Sequence, residues 1–117
     1  MQAVSIHAVD VANGVVARGM TVEIWRLSGG APQHVVTGTV GGNGVLDGLA
    51  DRETLFAVGT YELRLHVGAY YRARGTPLPE PAFMDVQVFR FGLSDLSQHY
   101  HLPVKFTPWG LSCFRGA

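Results

Sequence analysis

Hydrophobic and polar residues alternate with a period of two in five runs of this chain, residues 3–10, 20–27, 60–66, 83–91 and 99–106. In the first run, Val4 and Ile6 fall on one face, whereas Ser5 and His7 fall on the other. Such alternation predicts β-strands with one buried face. The run 83–91 carries apolar residues on both faces, which predicts a strand buried on both sides.

Turn-forming residues separate these runs and limit their length. The chain contains 15 Gly and 6 Pro, and the stretch 41–44 predicts a hairpin turn. Helical periodicity is weak, and one short helix is predicted over residues 68–74. Many short antiparallel strands with a single helical turn indicate an all-β sandwich of two sheets. Because no linker or repeat interrupts the pattern, we expect one domain over residues 1–117.

Charge and length exclude several classes of protein. Lys plus Arg number 9 and Asp plus Glu number 9, so the formal net charge is zero. We therefore expect no nucleic-acid partner and no attraction to an anionic membrane surface. No apolar run approaches the ~20 residues of a membrane-spanning helix, and residues 1–10 lack a secretion signal. The single cysteine, Cys113, excludes an intramolecular disulfide and favours a cytoplasmic location.

Histidines are the most conspicuous chemical groups. His99 and His101 are two residues apart, so on a strand they share one face, together with Lys105. His7 lies on the polar face of the first run. Three imidazoles can bind zinc, but His-x-His pairs are common on strands, and we predict no metal site. From the pattern alone, surface histidines are the simpler interpretation. No nucleophile elbow, phosphate-binding loop or paired CxxC motif is present.

A set of short segments along the chain carries a family resemblance. They read I-H-A-V-D (6–10), N-G (13–14), V-E-I (22–24), G-T-Y-E-L (59–63), H-Y-H-L-P (99–103), T-P-W-G-L-S (107–112) and F-R-G-A (114–117). Together they resemble the transthyretin-like 5-hydroxyisourate hydrolases, which have H-V-L-D, V-E-L and G-x-Y-x-L segments. That family ends with H-Y-H-I-P-L-L-L-S-P-Y-G-Y-S and then Tyr-Arg-Gly-Ser. The similarity spans essentially the whole chain.

The resemblance implies an eight-stranded, two-sheet sandwich with one short helix. It also implies a homotetramer, built as a dimer of dimers, with active sites at the dimer–dimer interface. The implied reaction opens a cyclic amide of 5-hydroxyisourate without a metal or other cofactor. By position, the catalytic residues would be His7 and His101, and the substrate-binding positions would be Val45 and Phe114, Arg115 and Ala117. Histidines suit this work because their ordinary pKa of ~6.5 lets them accept and return protons.

The chain departs from the family pattern at three polar positions of that site. Val45 stands where the family has the Arg of a D-G-R turn, and Phe114 and Ala117 replace the terminal Tyr and Ser. Loss of one such donor typically lowers the rate about 10²–10³-fold. Lys105 stands where the family has Leu, and we hypothesise that it supplies a relocated positive charge at the substrate site. Arg52 is the alternative source of that charge.

These observations lead to three ranked hypotheses. The first is a hydrolase of the 5-hydroxyisourate type, with His7 and His101 as general acid and base. The second is a divergent member acting on a different cyclic or carbonyl substrate, by ring opening, closure or isomerisation in a specialised biosynthetic pathway. The third is a non-catalytic small-molecule binder, which retention of both histidines disfavours.

Overall fold

The computed structural model describes residues 3–49 and 56–116, and these form two four-stranded sheets. The strands are β1 (Val4–Asp10), β2 (Val15–Val16), β3 (Thr21–Leu27), β4 (Gln33–Thr39), β5 (Gly59–His66), β6 (Val86–Leu93), β7 (Tyr100–Phe106) and β8 (Leu111–Cys113), with one helix, α1 (Val67–Ala73). The first sheet has the order β2-β1-β7-β8 and the second the order β4-β3-β5-β6. The predicted all-β class is confirmed.

The predicted alternation decides which side chains enter the core. In β1, Val4, Ile6 and Ala8 are buried, whereas the residues between them are partly exposed. The buried residues of β1 and β7 join those of β3 and β5 in one apolar cluster between the sheets. Burial of a large aliphatic side chain contributes about 1.5–3 kcal/mol, so this cluster fixes which face of each strand points outward.

One predicted strand differs from its expected environment. The run 83–91 corresponds to β6, but its predicted burial on both sides is wrong, since Val86 is 41% and Val88 is 52% exposed. β6 is the edge strand of its sheet and pairs with β5. The sequence misleads here because an exposed valine has the same signature as a buried one, and much of a folded protein's surface is apolar.

Hydrogen bonds from the helix hold Asp10, the last residue of β1, in place. α1 follows β5 directly and carries Tyr70 and Tyr71, whose hydroxyls donate to the Asp10 carboxylate at 2.9 and 2.7 Å. Asn13 donates to the same carboxylate from its backbone and side chain. Burial alone would raise the pKa of Asp10, but these hydrogen bonds outweigh it and hold the pKa below its usual value. Within the described residues, no helix has the length and apolar character needed to cross a membrane.

The parallel pairing of β1 with β7 builds the surface of interest. Its register sets Ser5 opposite His101, His7 opposite Pro103 and Val9 opposite Lys105. Paired residues project to the same side of a sheet. Ser5, His7, His101 and Lys105 therefore share the outer face of the first sheet, which we call the β1–β7 face.

Candidate active site

His7 and His101 lie on neighbouring strands of the β1–β7 face. His101 is two residues from Pro103, the partner of His7. With strands ~4.8 Å apart and a rise of ~3.3 Å per residue, the two Cα atoms are about 8 Å apart. Both side chains are half-buried. The two imidazoles therefore project from the same outward face of the first sheet.

His101 is held on two sides. Its Nδ1 lies 2.7 Å from Ser5 Oγ, and the amide of Gly116 donates to its carbonyl oxygen at 2.7 Å. Gly116 packs so closely that a Cβ there would lie 3.2 Å from His101 Cδ2. Burial lowers the pKa of His101, and the charges of His99 and His7 lower this pKa further. His101 is therefore neutral near pH 7 and able to accept a proton.

The predicted turn at 41–44 meets the other side of β1, beside His7. The amide of Gly44 donates to the carbonyl of Gly41 at 3.0 Å, which confirms the turn. The chain then runs antiparallel to β1, with Val45 opposite His7. Val45 consequently lies next to His7 on the same face, and its side chain is apolar where the family resemblance has arginine.

Lys105 lies farther along the same face. It is exposed and pairs with Val9 on β1 and Ser112 on β8. It lies four positions along β7 from His101, which corresponds to about 13 Å along the strand. It lies only two positions from Pro103, the partner of His7. Lys105 is therefore nearer to His7 than to His101 in sheet register.

The C-terminal segment brings a cation to the start of β7. The Arg115 guanidinium stacks 4.0 Å above the Tyr100 ring. It also donates to Gln98 Oε1 at 2.8 Å and to the carbonyl of His99 at 3.3 Å. Phe114 is 46% exposed. Ala117 and Arg52, both named in the sequence predictions, lie outside the described residues.

The sequence pattern did not predict the contacts that two further residues, Ser5 and Gly44, make with the histidines. Ser5 was predicted to share the face of His7, but its contact with His101 depends on the pairing of β1 with β7, 96 residues apart in sequence. Gly44 was predicted only as a turn residue, and its contact with His7 arises from the packing of that turn. Among residues 3–49 and 56–116, no group of three or more His, Cys, Asp or Glu side chains is arranged to hold a metal ion.

Comparisons with known proteins cover nearly the whole chain. A model described as the HIUase/Transthyretin family matches residues 4–116. The 5-hydroxyisourate hydrolase 2 of Rhizobium meliloti is 40% identical over 95% of this chain and 92% of that protein. The 5-hydroxyisourate hydrolase of Pseudomonas aeruginosa is 36% identical over 100% of this chain and 93% of that protein.

Solved structures share the fold. A crystal structure of (S)-allantoin synthase is 30% identical with a TM-score of 0.86, covering 97% of this chain and 43% of that longer chain. Sea bream transthyretin in complex with thyroxine is 19% identical with a TM-score of 0.85, covering 97% of this chain and 94% of that chain. At that identity, the likeness to transthyretin concerns the fold alone.

Proposed function

The chain belongs to the HIUase/Transthyretin family, and we propose that it is a 5-hydroxyisourate hydrolase that uses His7 and His101 as its acid–base pair. The observation that carries this proposal is the position of the two imidazoles on adjacent strands of one outward face. Relatives named 5-hydroxyisourate hydrolase that match over nearly their full length support the same activity.

His101 suits the role of base. Its lowered pKa keeps the ring neutral at pH 7, so it can take a proton from a water molecule. The water oxygen then adds to the carbonyl carbon of the cyclic amide, and the carbon–nitrogen bond of the ring breaks. The leaving nitrogen receives a proton from His7. Afterwards His101 loses its proton to solvent and His7 regains one, so one water molecule is consumed.

Substrate binding in this proposal falls to the rest of the β1–β7 face and to the C-terminal segment. Lys105 and Arg115 supply positive charge for a polar, electron-rich substrate, while Val45 and Phe114 supply apolar contact. The same role is proposed for Ala117. Because the resemblance has arginine where Val45 stands, the cation reaches the substrate from a different direction than in the family pattern.

Assembly is part of the proposal. The β1–β7 face carries Val9 as well as the site residues, and an outward sheet face with apolar groups is commonly covered by another subunit. We propose a homotetramer, a dimer of dimers, with each site at the dimer–dimer interface in the cytoplasm. Light scattering during size-exclusion chromatography tests this. A mass near four times 12.6 kDa supports it, and a monomer at working concentration contradicts it.

The activity is tested by following the ultraviolet absorbance of freshly generated 5-hydroxyisourate. The purified protein is expected to accelerate its decay far above the rate in buffer. An equal concentration of free imidazole serves as the control for non-specific histidine catalysis. Decay no faster than with imidazole contradicts the proposal.

A second candidate is a divergent family member that acts on another cyclic or carbonyl substrate. The observation that favours it is Val45, which places an aliphatic side chain beside His7. A pocket built from apolar groups selects less polar substrates. This candidate is supported if the protein turns over a less polar cyclic amide or carbonyl compound but does not turn over 5-hydroxyisourate. A tight ligand released chemically unchanged supports a binding protein instead.

A further inference from the structure

The hydroxyl of Ser5 lies between two imidazoles. Ser5 Oγ is 2.7 Å from His101 Nδ1 and 2.7 Å from His99 Nε2. His99 and His101 flank Tyr100, and their rings are nearly parallel, at 15°, with centroids 6.5 Å apart. Both distances are typical of strong hydrogen bonds. Ser5 thus links the inner nitrogen of the proposed base to a second histidine.

Proton accounting restricts what these three groups can do. A serine hydroxyl has one proton and two acceptor lone pairs. Ser5 can donate to only one of the two imidazole nitrogens, so the other must donate to Ser5. The tautomer of His101 is therefore coupled to the hydrogen bond that Ser5 makes with His99.

A general base at His101 needs one particular tautomer. The inner Nδ1 must carry the proton, so that the outer Nε2 presents its lone pair to water. Nδ1–H then donates to Ser5 Oγ, and the Ser5 proton goes to His99 Nε2. We propose that Ser5 is a positioning residue which, together with His99, holds His101 in the tautomer with a free Nε2.

This inference rests on the proposed role of His101 as base, and it makes the catalytic step simple. When Nε2 accepts a proton from water, the Nδ1–H to Ser5 bond stays in place. No proton moves through Ser5, and no hydrogen bond is lost as the imidazolium forms. The hydroxyl acts through His101 and does not touch the substrate.

Among the described residues, His7 on β1 and His99, which precedes β7, act on the charge of His101. Arg115 on the C-terminal segment contacts the carbonyl of His99. A variant at Ser5 leaves all three in place. A change in the titration of His101 in such a variant therefore reports the hydroxyl and not a lost charge.

The test compares Ser5→Thr with Ser5→Val, which have the same branched shape and differ in the hydroxyl. Both suit a strand. Ser5→Thr is expected to keep kcat within about 3-fold, and Ser5→Val to lower kcat about 10–100-fold with KM little changed. Ser28→Val, in the exposed turn after β3, is the control. Equal kcat values for Ser5→Thr and Ser5→Val overturn the inference.

A second measurement needs no substrate. In nitrogen-15 NMR of the free protein, wild type and Ser5→Thr are expected to show His101 protonated at Nδ1. Ser5→Val removes the hydroxyl that contacts His101, and His99→Phe removes the ring nitrogen that contacts Ser5. Both variants are expected to shift His101 towards the Nε2–H tautomer. If all four proteins show the same tautomer, the inference fails. Because this readout is independent of turnover, it separates that failure from a failure of the proposed hydrolase activity.

Discussion

Gly44 leaves no room for a side chain against His7. A Cβ at position 44 would lie 2.6 Å from His7 Nε2, closer than real Cβ atoms approach. The φ angle of Gly44 is +84°, a conformation that costs other residues about 1–2 kcal/mol. The turn that begins at Gly41 therefore determines where the His7 ring lies.

Replacing Gly44 with alanine tests that relationship. The new methyl group would displace the His7 ring from its present position, so Gly44→Ala is expected to lower kcat/KM at least about 10-fold, because small misplacements cost this much. Gly42→Ala is the control, since a Cβ there meets nothing within 4 Å. Kinetics of both variants check the prediction. Equal activity would contradict the idea that Gly44 positions His7.

Asp10 gives a prediction for stability and pH. Its lowered pKa means that the stabilisation by its ionised form is complete above the unfolded value of ~3.9 and is lost as the pH falls towards the folded value. Asp10→Asn is expected to lower the free energy of unfolding by about 2–4 kcal/mol at pH 7. That difference should shrink below about pH 4.

Urea unfolding of wild type and Asp10→Asn between pH 7 and pH 3 provides the measurement. Asp47→Asn, at an exposed site, is the matched control and should change stability little. A difference between wild type and Asp10→Asn that stays constant down to pH 3 would rule out an ionised Asp10 as its source.

Much of this site could be predicted because strand alternation is a local property. The period of two in the first run was enough to assign Ser5 and His7 to one face and Ile6 to the core. The same rule grouped His101 with Lys105. These side chains then came together because β1 and β7 pair. Only the resemblance, not the alternation, indicated that His7 and His101 belong to one site.

The features of the site and fold that could not be predicted depend on packing between segments that are distant in sequence. Nothing in the local sequence indicates that the Gly44 backbone abuts His7, or that Arg115 stacks on Tyr100. The edge position of β6 was also hidden, because Val86 and Val88 resemble core residues in sequence. Glu62 is a charged residue within the alternating run 60–66, yet it is buried. Ion pairs with Arg64 and Arg90 compensate its charge.

Val45 provides a gain-of-function prediction. If the protein hydrolyses 5-hydroxyisourate with a substrate-binding cation that lies elsewhere than position 45, Val45→Arg restores a guanidinium beside His7. This variant should raise kcat/KM for 5-hydroxyisourate about 10-fold or more. Val45→Leu keeps the apolar character of the position, so it is the control and should not raise kcat/KM. An unchanged or lower kcat/KM for Val45→Arg would favour a substrate that the existing apolar surface already fits.

The pairing of His7 with His101 is the central claim, and a double-mutant cycle on kcat tests it most directly. His7→Ala and His101→Ala are each expected to lower kcat about 10²–10⁴-fold. The kcat of the double variant should be only slightly below that of the less active single variant, because substitutions of groups that act as a unit have non-additive effects. His34→Ala, on the other sheet, should retain wild-type kcat. Wild-type kcat in either single variant at position 7 or 101 would contradict the account.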